Sequence, residues 1–215
     1  MSAPNSSPRF LLCLDFDLTM SKSHLFHYVV DAMKGGFSRE KALLRAMHIM
    51  SKQGPKGGDE LWKQLASFLT LGHGLAITSY TAFPELPITL LAQGIKPFRS
   101  LNAKAYTRWL SRPVIVYGDP APTFNPPQEI PNTFLVSAYE QGKNMHIEKA
   151  LQVFESRGEY FDQVILIDDD EHNLTEAKKM GVLTIPVCRE PQSEREERSH
   201  LREFEQFIMS LSTST

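Results

Sequence analysis

The sequence predicts an α/β protein built on a doubly wound parallel sheet, and three observations carry that expectation. Short unbroken apolar runs recur along the chain, as strands buried on both faces read. They are Phe10 to Leu14, Leu75 to Ile77, Val114 to Tyr117, Thr133 to Val136, Val164 to Ile167 and Val182 to Ile185. Apolar residues at helical spacing fill most of the gaps between them. The composition, 41% hydrophobic and 22% charged over 215 residues, is globular and supports one core of moderate size, with or without a small insert.

After the first run the alternation lapses, and the interval 20–71 reads as three amphipathic helices in a row. Val29, Val30 and Met33 form one stripe before Gly35-Gly36, and Leu43, Leu44, Met47 and Met50 form another after Ser38. Leu61, Trp62, Leu65, Phe68 and Leu69 form the third, with Asp59 as the expected N-cap. This is a small helical cap placed between the first two core strands. Pro84 and Gly94 bracket the next helix, with Pro in its first turn and Gly just past its end. The stretch 97–131 is Pro-rich and irregular apart from the strand at Val114, and reads as a decorated crossover.

Ile147, Ala150, Leu151 and Phe154 mark a helix closed by Gly158. Leu174, Ala177 and Met180 mark a shorter one ended by a left-handed cap at Gly181. The tail opens on a capping box, Ser193 with Glu196, followed by Glu194 and Arg198 at i, i+4 and a stripe of Leu201, Phe204, Ile208 and Leu211. Its charges are mixed, which favours a helix docked on the core over a partner-binding or membrane-surface helix. The expected division is a core of 9–19 and 72–190, a cap insert of 20–71 and a tail of 191–215.

Charge and cysteine content narrow the function. Lys and Arg number 23 against 25 Asp and Glu, a net charge of −2, so the basic footprint of a nucleic-acid binder is absent. Cys13 and Cys188 are too few for a disulfide framework or a zinc site and fit a reduced, cytoplasmic setting. Residues 1–9 are polar, without the apolar stretch of a cleaved export signal. Phe10 to Leu14, the longest apolar run, is far below the about 20 residues of a transmembrane helix.

The chemistry is concentrated at strand ends. Asp15 and Asp17 follow the first buried strand at i, i+2, and Asp168-Asp169-Asp170 end the strand at Val164. Parallel strands deliver both sets to one edge of the sheet, where buried carboxylates must be protonated or neutralised, with a cation as the natural partner. Oxygen ligands of this kind suit Mg²⁺, which also bridges to phosphate. His24 and His27 lie three apart on the first cap helix without an evident third ligand, which points to cap surface or substrate contact.

On these residues the chain resembles the haloacid dehalogenase (HAD) superfamily, most of whose members are Mg²⁺-dependent phosphatases that form an aspartyl-phosphate. Its four motifs correspond in order to Asp15-x-Asp17-x-Thr19, to Thr78-Ser79 after an apolar strand, to Lys143 near a helix start, and to Asp168-Asp169 with Asn173. The resemblance spans roughly 10–187 and implies a HAD-type, Rossmann-like core. It implies Asp15 as nucleophile, Asp17 as general acid and base, and Ser79, or Thr78 beside it, with Lys143 as the phosphoryl-binding groups. Mg²⁺ would be held by Asp15, the Asp17 carbonyl and Asp169, with Asp168 hydrogen-bonded to Lys143 or a metal-bound water. Lys149 is the alternative to Lys143.

A cap this small leaves the site open to a phosphorylated protein side chain. Compact HAD members that hydrolyse phosphotyrosine, some of them bacterial effectors delivered into host cells, have a similar layout. A phosphatase for a small metabolite or nucleotide, and a catalytically silent HAD-like binding module, are the competing expectations.

Overall fold

The computed structural model describes residues 8–81, 83, 85–101, 114–117 and 142–212. Its centre is a five-stranded, all-parallel sheet in the order β3-β2-β1-β4-β5, formed by β1 (Phe10–Leu14), β2 (Gly74–Ser79), β3 (Val114–Tyr117), β4 (Gln163–Asp168) and β5 (Leu183–Pro186). The chain starts in the middle of the sheet, winds outward through β2 and β3, and returns to the other side of β1. The strand expected at Thr133 to Val136 and the expected first-turn Pro84 lie outside the described residues.

Alternation along β1 directs side chains to two apolar layers. Leu12 and Leu14 join one cluster with residues of α1 (Leu25–Lys34), α2 (Arg39–Gln53), α3 (Asp59–Thr70) and α4 (Glu85–Leu101). Leu11 and Cys13 face the other way, against α5 (Asn144–Glu155) and α6 (Glu171–Lys179). With helices on both faces, this α/β architecture is consistent with a Rossmann-like fold. Among the described residues no helix is long and apolar enough to cross a membrane.

Several local expectations are corrected. Gly94 does not end its helix: α4 runs on to Leu101, and a Cβ at Gly94 would lie 2.9 Å from the Trp62 ring, so close packing of α4 on α3 accounts for the glycine. On α2 the buried face is Ala42, Leu43, Ala46 and Met50, while Leu44 is turned to solvent. Asp59 is the first residue of α3 rather than its cap, which is Gly58. Met180 follows the last turn of α6 and is exposed, before Gly181 with its left-handed φ of 78°.

The tail forms a short helix, α7 (Glu194–Glu197), and then α8 (Ser199–Ser212). The Ser193 hydroxyl accepts the Glu196 amide at 3.2 Å as expected, but the Glu196 carboxylate accepts from Gln192 N at 2.7 Å, which starts the turn one residue earlier. Glu194 pairs with Arg198 at 2.7 Å. Leu201, Phe204 and Ile208 are buried in the larger cluster, where the Phe204 ring packs on Phe68. The docked reading of the tail is what the packing gives.

Phe204→Ala should therefore destabilise the protein by about 3–5 kcal/mol. Exposed Met209→Ala on the same helix should stay within about 0.5 kcal/mol of wild type. Urea unfolding midpoints check both.

Candidate active site

The site forms where β1 and β4 run side by side. Leu14 is in register with Ile167, and the Asp15 amide donates to the Ile167 carbonyl at 3.0 Å, so the acids that follow emerge together at the carboxyl edge. Asp15, Asp17, Ser79, Lys143, Asp168 and Asp169 all line one cleft of about 240 Å³. Asp170, Asn173, Arg189, Tyr80, His24, Phe26 and His27 complete its lining.

Lys143 precedes α5, is 2% exposed, and donates from Nζ to Asp15 Oδ1 at 2.6 Å and to the Thr78 carbonyl at 3.1 Å. The loop that delivers it is tightly constrained. Gly142 has φ 54°, and a Cβ there would stand 3.1 Å from the Asn173 backbone. The Tyr80 hydroxyl donates to the Gly142 carbonyl, and the Lys143 ammonium lies 4.6 Å from the Tyr80 ring centre. Lys149 is exposed on α5 and takes no part in the cleft.

Of the two partners expected for Asp168, Lys143 is engaged by Asp15 and the Thr78 carbonyl. Both Asp168 oxygens accept from Asn173 Nδ2 at 3.1 Å, and Oδ1 also accepts the Asp170 amide at 2.8 Å. The Asp169 carboxylate accepts Thr19 Oγ1 at 3.2 Å and Arg189 Nε at 2.6 Å, while Arg189 Nη2 reaches Asp170 at 2.9 Å. Asp170 also caps α6 through the His172 and Asn173 amides. One oxygen from each of Asp15, Asp168 and Asp169 lies within 4.8 Å of the others.

Asp17 also braces the insert. Its carboxylate accepts the Leu25 amide at 2.8 Å and the Phe26 amide at 3.4 Å, so it closes the first turn of α1 from outside the helix. His24 Nδ1 stands 3.6 Å from Asp17, and its ring meets that of His27 at 4.0 Å. Between Asp17 and Thr19, Leu18 takes φ 60°, a left-handed conformation that costs a leucine about 1–2 kcal/mol. Of the two hydroxyls at the end of β2, Ser79 lines the cleft, whereas the Thr78 side chain is fully buried outside it.

The electrostatics follow from crowding. Burial, and then the neighbouring Asp15 charge, push Asp17 and Asp168 each up to about 7. Burial lifts Asp15 as well, against the pull of Lys143. Burial works against the Lys143 ammonium, but the charges of Asp15 and Asp168 outweigh it and hold the group above the ordinary lysine value. The acids thus stand in need of protons or a cation.

Arg189, Tyr80 and Phe26 are cleft residues that the motif pattern did not single out. Arg189 had a signal, since it follows β5 at the same carboxyl edge. Tyr80 and Phe26 had only their positions one residue past Ser79 and two past His24. No protein-family model matches the chain, and no curated protein is significantly similar to it.

The Asp17 position lends itself to a test in the presence of chelator. Its folded value near 7 lies above the ordinary 3.8, so the folded protein keeps a proton in that window and the ionised carboxylate costs stability above it. Asp17→Asn, which keeps an acceptor for the α1 amides, should raise the urea midpoint over wild type at pH 8. That advantage should fade as pH falls through 7 toward 4. Asp17→Ala, which loses the acceptor too, should lie about 1 kcal/mol below Asp17→Asn.

Proposed function

We propose that this protein is a Mg²⁺-dependent phosphomonoester hydrolase of the HAD type, working through an aspartyl-phosphate on Asp15. The observation that carries the reading is the buried Asp15–Lys143 contact at 2.6 Å, inside a cleft whose other walls supply Asp17, Ser79, Asp168 and Asp169. A carboxyl group oriented by a buried ammonium is a placed nucleophile, and the ammonium is equally placed to meet an incoming anion.

In the proposed reaction Asp15 attacks phosphorus in line, and the ester oxygen departs with a proton from Asp17. A water then loses its proton to Asp17 and attacks the phosphorus, releasing inorganic phosphate and restoring Asp15. A group near 7 is suited to both transfers, a contribution of about 10²–10⁴ in rate. Ser79 and Lys143 bind the phosphoryl oxygens. The donor set of Asp15, Asp168 and Asp169 is all carboxylate and close-spaced, which fits Mg²⁺ better than a softer metal. When bound, such an ion supplies positive charge to the phosphoryl group and to the crowded acids.

The cleft is smaller than the about 300–1,000 Å³ that encloses a drug-sized ligand, so a phosphoryl end enters while the rest of the substrate remains outside. Phe26, Tyr80 and the His24–His27 pair beside the acids favour an aromatic ester, and phosphotyrosine in a protein is the substrate we propose.

Hydrolysis of para-nitrophenyl phosphate with Mg²⁺ and with EDTA tests the chemistry. Metal-dependent activity should fall by about 10³-fold or more in Asp15→Asn. Equally negligible rates for both proteins, across several divalent metals, would sink the reading in favour of a silent binding module. Phosphotyrosyl peptides should turn over faster than a panel of phosphorylated metabolites and nucleotides; the reverse order would identify a metabolite phosphatase.

Metal binding has its own readout. Mg²⁺ or Mn²⁺ should raise the melting midpoint of wild type, and Asp169→Asn should abolish most of that rise.

A further inference from the structure

Lys56 is a buried cation that the proposed chemistry leaves unused. It lies in the connection between α2 and α3 and is 2% exposed. Its Nζ donates to two main-chain carbonyls, Leu18 O at 2.7 Å and Cys188 O at 2.6 Å. The carbonyls satisfy the ammonium's protons, and the nearby charges of Asp169 and Glu197 offset only part of the cost of burying it. The burial of a charge here calls for a reason beyond stability.

The two carbonyls provide it. Leu18 is the one non-glycine residue with positive φ among the described residues, and it separates Asp17 from Thr19. Cys188 precedes Arg189, whose guanidinium bridges Asp169 and Asp170. Backbone contacts run in parallel: Lys56 N donates to Met20 O at 2.8 Å, and Pro55 pairs with Ser21 in an isolated antiparallel bridge. One side chain from the helical insert thus ties together the loop after β1 and the segment after β5, which flank the carboxylate cluster from opposite sides.

We propose that Lys56 is a positioning residue. It holds Leu18 in its left-handed conformation and the Cys188 carbonyl in place, and so sets Asp17 and Thr19 against the acids of β4. It touches neither the substrate nor the reacting atoms. Its effect on turnover rests on the phosphatase reading; its effect on the loop does not.

Lys56→Met keeps the length of the side chain and removes its donors. Measured well below the melting midpoint, kcat should fall about tenfold or more while KM stays within about twofold. The amides of Met20 and Ser21, both bonded to the Phe16 carbonyl, should exchange hydrogen faster than in wild type. Adding Leu18→Gly, which takes a left-handed conformation without the leucine's penalty, should restore most of the lost kcat.

A lysine of purely structural importance would lower the melting midpoint, leave kcat unchanged and give no rescue, and that result would overturn the proposal. Should wild type prove inactive, the phosphatase reading fails on its own, and the exchange experiment still decides: unchanged rates at Met20 and Ser21 would reject the positioning role. Lys56→Leu, which also removes the donors, serves the same comparison if Lys56→Met does not fold.

Discussion

Three carboxylates brought to adjacent strand ends beside the buried Lys143 ammonium form the constraint on which the rest of this structure turns. Asp15 sits at the end of the central strand, and the register of β1 with β4 sets Asp168 and Asp169 beside it. In a medium of low dielectric such neighbours repel strongly, and each nearby device offsets part of that repulsion. Lys143 answers Asp15, the Asn173 amide spans both oxygens of Asp168, and Arg189 takes Asp169. The α1 amides answer Asp17. What remains uncompensated is relieved by protons or by a cation.

The helical insert is bound into this arrangement rather than hung beside it. Its helices share an apolar cluster with Leu12 and Leu14 of the central strand. At α1 it is closed by the Asp17 carboxylate, and at the α2–α3 connection it grips the Leu18 carbonyl. A site that is costly to assemble is thereby braced from the side that the sheet itself does not reach.

The fold was legible in the sequence to the extent that it rests on local pattern. Buried parallel strands read as unbroken apolar runs because both faces are covered, and the rule that parallel strands share a carboxyl edge brought Asp15 and Asp168 together before any coordinates. Features that depend on a partner far along the chain were not legible. Gly94 looks like a helix terminator until Trp62 is seen against it. Leu44 fits a stripe by spacing, but the face that α2 buries is set by its neighbours. Lys56 bonds to main-chain carbonyls, which carry no side-chain signature at all. Asp15, Asp17, Ser79, Lys143, Asp168, Asp169 and Asn173 line one cleft, but the roles proposed for them come from the resemblance and from chemistry, not from position alone.

The distance along the chain between partners has a consequence for how the protein is made. Lys143 meets Asp15 across 128 residues, Asp169 meets Thr19 across 150, and β1 lies between β2 and a strand that begins at Gln163. During synthesis the first strand can pair on one edge early, while its other edge waits until β4 has emerged, exposing a hydrophobic ladder in the interim. Loop closure over such spans slows folding relative to a locally wired domain of equal stability.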